Sequence, residues 1–146
     1  MNRKILLTGG TGLIGLNLVE SLIDHDNKVT LVTRSEKKLF ELFKANNINI
    51  DFLSVIECDL LANNARNIIA DEISKEIDSI VFSARSLNSV KLDALGNLTD
   101  LQWLDEFRMA TVLPYQLSKE LIDRKFALQD IVFISSIYGS VAVSYT

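Results

Sequence analysis

Residues 4–25 read KILLTGGTGLIGLNLVESLIDH, and the reading of this stretch decides the fold. Residues 4–8 form a short apolar run that ends on glycines, the pattern of a buried strand entering a turn. Beyond the glycines, Leu13, Leu16, Val19, Leu22 and Ile23 recur at helical spacing. Between strand and helix stands Gly10-x-Gly12-x-x-Gly15. Geometry asks for glycine at such a place: the turn is tight, a pyrophosphate must reach bare backbone, and the helix must pack close to the strand. The first amides of the helix, at the positive end of its dipole, then face the phosphates. The stretch predicts a dinucleotide phosphate site built from Thr8, Gly9, Gly10, Thr11, Gly12, Leu13, Ile14 and Gly15.

Downstream, strand and helix patterns alternate. Asp26 and Asn27 make a turn into the strand KVTLVTR (28–34). SEKKLFELFKANN (35–47) reads as a helix capped by Ser35. INIDFLSVIECDL (48–60) supplies a third strand, NNARNIIADEISKEI (63–77) a polar-faced helix and DSIVFSA (78–84) a fourth strand. The segment 98–124 reads as one long helix, with Thr99 and Gln102 at capping-box spacing and Pro114 set to kink it. DIVFISS (130–136) is the fifth strand. Such βαβ alternation predicts an α/β, doubly wound parallel sheet of the Rossmann type, helices on both faces, as one domain over residues 1–146.

Composition narrows the function classes. The 146 residues are 48% hydrophobic and 23% charged, the usage of a folded globular domain rather than a disordered chain. A net charge of −4, with no Lys/Arg cluster, provides no field for nucleic acid. No apolar stretch is long enough to span a bilayer, and glycines interrupt the only leader-like run. The single cysteine, Cys58, suits a reducing compartment, so a cytoplasmic location is expected. No metal-ligand cluster or hydrolase elbow is present in the sequence. His25, the only histidine, is read as a helix-end residue, Cys58 as a core thiol, and Trp103 as a packing residue of the long helix.

With these motifs in place, nearly the whole chain resembles the short-chain dehydrogenases/reductases. Thr8-Gly9-x-x-Gly12-x-x-Gly15 is closer to the spacing of the extended and atypical branches than to the main branch, where a glycine would stand at Leu13. The resemblance implies an NADP(H)- or NAD(H)-dependent oxidoreductase that interconverts a carbonyl and an alcohol on a small molecule, as a homo-oligomer.

The nucleotide is read from the tip of the second strand. An NAD site carries an acid there for the ribose 2′-hydroxyl; this chain carries Arg34, whose guanidinium suits a 2′-phosphate. NADP(H) is the expected cofactor, NAD(H) the alternative, with Ser35 as a further hydrogen-bonding group. The resemblance assigns Asp59 and Leu60 to the adenine, an N-cap of the following helix being the equal alternative for Asp59. It places the backbone of Ser83, Ala84 and Arg85 against the cofactor ribose, although only Ala84 keeps the family's Asn-Asn-Ala-Gly pattern; the Arg85 side chain has no counterpart in it and is left to a cofactor phosphate, an acidic substrate or solvent.

Main-branch members work with Ser, Tyr and Lys, often assisted by an Asn. Ser136, in ISSIYG, matches the serine that orients the substrate; aligned by Trp103 and Pro114, the Asn position holds Ala110. Neither Tyr138 nor Tyr145 has the spacing of the family's Tyr-x-x-x-Lys, so that motif is expected beyond Thr146, in a longer protein of which this chain is the cofactor-binding part. Two further readings stand beside this one. A non-catalytic dinucleotide-binding module is favoured by Ala110, Phe82 and Ser83, and a sugar-nucleotide epimerase or dehydratase by the Gly12 spacing.

Overall fold

The computed structural model describes residues 2–85 and 95–134. In chain order they form β1 (Lys4–Thr8), α1 (Leu13–Asp24), β2 (Lys28–Thr33), α2 (Glu36–Ala45), β3 (Leu53–Glu57), α3 (Ala65–Glu72) and β4 (Ser79–Phe82). There follow α4 (Asp100–Phe107), a π-helical turn (Arg108–Val112), α5 (Leu113–Asp123) and β5 (Asp130–Phe133). All strand pairs are parallel, in the order β3-β2-β1-β4-β5. The chain winds outward from β1 through β2 to β3, then returns to β4 on the other side of β1. This is the doubly wound sheet, and its order reverses between β1 and β4, where a crevice opens at the C-terminal strand ends.

Alternation along the strands feeds two cores. Leu7, Leu31 and Val81 pack with Val19 and Ile23 of α1 and Leu39 and Phe43 of α2. Leu6, Val32, Ile56, Ile80 and Phe82 pack on the other face with Ala65 and Ile69 of α3 and Leu113, Leu117 and Leu121 of α5. Leu6 and Leu7, adjacent in β1, are both fully buried, one in each core. The N-terminal ends of the strands are fastened by polar groups. The Arg3 N–H donates to Asn27 Oδ1 (3.1 Å) and the Lys4 N–H to Asp78 Oδ2 (2.7 Å). The Arg3 side chain pairs with Asp130, and Lys4 with Glu76.

Four details differ from the sequence reading. β3 begins only at Leu53, because Asn49 Oδ1 takes the Asp51 N–H at 2.9 Å and holds a turn where a strand was expected. β5 runs Asp130–Phe133, with Ile134 already outside it, and Ser135 and Ser136 of the expected strand lie outside the described residues. The helix expected from Asn63 starts at Ala65, so Asp59 does not cap it; the Asp59 carboxylate accepts from the Leu61 N–H (3.0 Å) and closes a local turn.

The long helix is the fourth. Its capping box forms as expected, with Thr99 Oγ1 accepting from the Gln102 N–H (3.3 Å) and Gln102 Oε1 from the Thr99 N–H (2.8 Å). The break ahead of Pro114 is a π turn: the Leu113 N–H donates to the Arg108 carbonyl, five residues back. Pro114 has no N–H, and its ring would press on the carbonyl four residues before it, so widening the preceding turn relieves the clash. In effect the turn inserts one extra residue and rotates what precedes it by roughly 100°. Trp103 and Leu121 are eighteen residues apart, about five whole turns of an unbroken helix. Leu121 is buried, but Trp103 is turned out and 60% exposed, so it is not the packing residue expected.

Candidate functional site

The glycine loop lies at the switch point and is packed without slack. Gly9 has φ +81°, and a Cβ there would stand 2.5 Å from the Ala84 nitrogen and 2.6 Å from the Ser83 carbonyl carbon. A Cβ on Gly10 would meet Leu31 Cδ2 at 2.6 Å, and one on Gly15 would lie 2.0 Å from the Gly9 carbonyl oxygen. Strand end, loop and helix start are thus in backbone contact, which only glycines permit. Gly12 is the N-cap of α1, in extended conformation and with no side-chain cap. The Gly12 N–H closes the loop on the Gly9 carbonyl (3.3 Å) and the Leu16 N–H reaches back to the Gly12 carbonyl (2.8 Å), so among the described residues the amides of Leu13, Ile14 and Gly15 between them are open to a ligand. Leu13 and Ile14 beside them are 82% and 61% exposed. A cradle of bare backbone against an uncapped helix start fits the pyrophosphate of a dinucleotide.

On one side of the loop stand the tips of β2 and β3. Arg34 is exposed, and no hydrogen bond or ion pair involves its guanidinium among the described residues. Ser35 caps α2, its Oγ accepting from the Lys38 N–H at 3.4 Å. Glu57, which the sequence reading passed over, accepts from the Glu36 N–H at 2.9 Å and so caps α2 from the end of β3. Its position one residue before Cys58, at the tip of a strand, was the available signal. Asp59 is exposed in its turn, and Leu60 half-buried. Leu60 also lines a cavity of about 130 Å³ with Asn63, Arg66, Arg108 and Gln116, away from the glycine loop. Cys58 is buried; that burial, followed by the charges of Asp59 and Glu72, pushes its thiol above the ordinary value.

On the other side stand the ends of β4 and β5. The Ser83 N–H donates to the Thr8 carbonyl (3.2 Å), the last rung between β1 and β4. Thr8 is buried and Ala84 lies under Gly9. The Arg85 guanidinium is taken up within the protein, reaching the Ala84 carbonyl (3.0 Å), the Ile134 carbonyl (2.7 Å) and, at 3.5 Å, Glu106 of α4. Glu106 was likewise passed over, because its partner is remote in sequence and the π turn decides which way it points. Ala110 lies within that turn. Ser136, with Tyr138 and Tyr145, falls outside the described residues. The structure therefore brings together Thr8, the glycine loop, Ser83 and Ala84, with Arg34 and Ser35 at the neighbouring strand tip. His25 sits at the end of α1, its Nδ1 2.7 Å from the Ser21 carbonyl, as read from sequence.

Among the described residues no helix is long and apolar enough to cross a membrane. Solved structures with the same fold include ElxO with NADP bound, 23% identical with a TM-score of 0.79 over 99% of this chain and 60% of that one. The RhlG/NADP active-site complex of Pseudomonas aeruginosa is 17% identical, TM-score 0.77, over 98% and 58%. A short-chain dehydrogenase from Streptomyces avermitilis is 20% identical, TM-score 0.76, over 97% and 52%. The chain thus spans between half and two thirds of the length of these structures. No curated protein sequence matches it. A family model described as NAD dependent epimerase/dehydratase family matches residues 5–144, from the first strand through the glycine loop and beyond β5, and by that match the chain belongs to the NAD dependent epimerase/dehydratase family.

Proposed function

We propose that this chain binds NADP(H) across the C-terminal end of its sheet and is the cofactor-binding part of an oxidoreductase acting on a carbonyl or alcohol carbon of a small molecule. The observation that carries the reading is the cradle in which Gly9, Gly15 and Ala84 meet backbone to backbone beneath the uncapped start of α1. When bound, the cofactor supplies the hydride. The chain's own residues bind and orient it: the loop amides hold the pyrophosphate, Arg34 the 2′-phosphate, Asp59 and Leu60 the adenine, and Thr8, Ser83 and Ala84 the floor under the second ribose. Ser136 is the proposed substrate-orienting hydroxyl.

NADP(H) is favoured over NAD(H) because Arg34 is exposed and unengaged among the described residues, while the nearest strand-tip acid, Glu57, is spent on the Glu36 amide. A fluorescence titration should show NADPH binding tighter than NADH, and Arg34→Met should remove that preference, weakening NADPH by about tenfold while sparing NADH. Tighter binding of NADH to the unaltered chain would overturn the assignment. A second reading, epimerase or dehydratase chemistry on a sugar nucleotide, is favoured by the family match and by Thr8-Gly9-x-x-Gly12-x-x-Gly15. The two readings part on cofactor balance: a reductase consumes one NADPH per product, whereas an epimerase or dehydratase returns the cofactor it began with.

A further inference from the structure

In a parallel ladder, a residue whose N–H donates to one neighbour on the adjoining strand has its carbonyl paired with the amide two residues further along that strand. The Ile134 N–H donates to the Phe82 carbonyl at 2.9 Å. Continuing the ladder would therefore send the Ala84 N–H to the Ile134 carbonyl. That rung is not made. Ala84 has moved under the glycine loop instead, its nitrogen where a Cβ on Gly9 would stand 2.5 Å away. β4 parts from β5 at the residue where it reaches the cofactor loop.

The missing rung is replaced by a side chain. Arg85 Nη2 donates to the Ile134 carbonyl at 2.7 Å, and Nη1 donates back to the Ala84 carbonyl at 3.0 Å. The far side of the guanidinium faces Glu106, 3.5 Å from Nε and largely buried. One planar cation thus spans the split between the floor of the glycine loop and the end of β5, and is itself anchored to α4. A guanidinium suits this task because its donors are fixed in a rigid fork, which an ammonium cannot match.

We infer that Arg85 is a positioning residue for the nicotinamide half of the dinucleotide: it sets the spacing between Ala84 and the end of β5 and touches no cofactor phosphate. The inference rests on the NADP(H) reading above. In a doubly wound sheet the two mononucleotide halves lie on opposite sides of the switch point, the adenosine half over β1–β3 and the other half over β4 and β5. Loss of Arg85 should therefore harm one half and spare the other.

The test is calorimetric titration of the chain with two probes, NADPH and adenosine 2′,5′-bisphosphate, for the unaltered protein, Arg85→Met and Arg85→Lys. In Arg85→Met, NADPH should weaken by about tenfold, the scale of one lost charge-assisted hydrogen bond. The bisphosphate should bind it within about twofold of the unaltered value, which also shows that the sheet is folded. Arg85→Lys restores charge without the fork, so its NADPH affinity should stay close to that of Arg85→Met. Unchanged NADPH affinity in Arg85→Met, recovery in Arg85→Lys, or an equal loss for both probes would each overturn the inference. An unaltered chain that binds neither probe would overturn the NADP(H) reading itself, and the inference with it.

Discussion

At Gly15 an added Cβ would lie 2.0 Å from the Gly9 carbonyl oxygen and 2.8 Å from the Gly10 Cα, both backbone atoms that cannot swing aside. Gly15→Ala should therefore push α1 away from the loop. The expected cost is about 1–3 kcal/mol, the range for overpacked sites, together with loss of NADPH binding. A lower urea midpoint at unchanged slope would record the first, and a titration the second; a variant with the unaltered midpoint would contradict the packing described. This contact was legible in the sequence, because the demand for glycine is local: strand, turn and helix follow one another within a dozen residues. The task of Arg85 was not legible. Its partners lie at Glu106 and Ile134, and nothing near Arg85 in sequence shows that β4 and β5 will part just beyond Phe82. Asp59 illustrates an intermediate case. An aspartate before a helical pattern is a good cap, but the turn it closes competes for the same carboxylate and forms six residues before the helix begins.

Among the elements, α4 shows most clearly what pattern conveys and what it omits. Its start was readable, since both partners of the capping box are local. Its phase was not, because Pro114 announces a break without saying whether the helix bends, stops or widens. The π turn settles that, and α4 consequently buries no residue fully. A helix with so little burial depends on its cap. Thr99→Ala should cost about 1 kcal/mol, and the loss should stay local. Amide exchange in α4 should quicken by about fivefold, while that of the β1 amides is unchanged. Slowed or unaltered exchange in α4 would show that the box contributes nothing. The late start of β3 has a similar origin: Ile48 and Ile50 fit a strand pattern, yet the turn from Asn49 to Asp51, with Ile50 inside it, claims the backbone first.

For the whole molecule, the doubly wound parallel sheet with helices on both faces followed from alternation and right-handed crossovers, and it holds. The surface did not follow. Leu101, Trp103, Leu104 and Phe107 of α4 are all more than half exposed, a cluster that a monomer rarely presents to water. The homo-oligomer expected from the sequence is accordingly proposed to form through this helix. Sedimentation should show concentration-dependent association that Phe107→Glu reduces, and a monomer at every concentration would overturn it.

The two ends of the sheet also differ in how they are held. Where the strands begin, Asn27 and Asp78 grip the backbone of Arg3 and Lys4, and the ion pairs to Asp130 and Glu76 reinforce them. Where the strands finish, the glycine loop lies in backbone contact with Ala84, the Ser83 N–H holds the Thr8 carbonyl, and one arginine bridges the split between β4 and β5. The sheet is thus held by polar side chains where its strands begin and mainly by bare backbone in contact where they finish. A floor made of backbone carries no rotamers to order when something docks on it, so a long, flat ligand meets a surface already in its final shape.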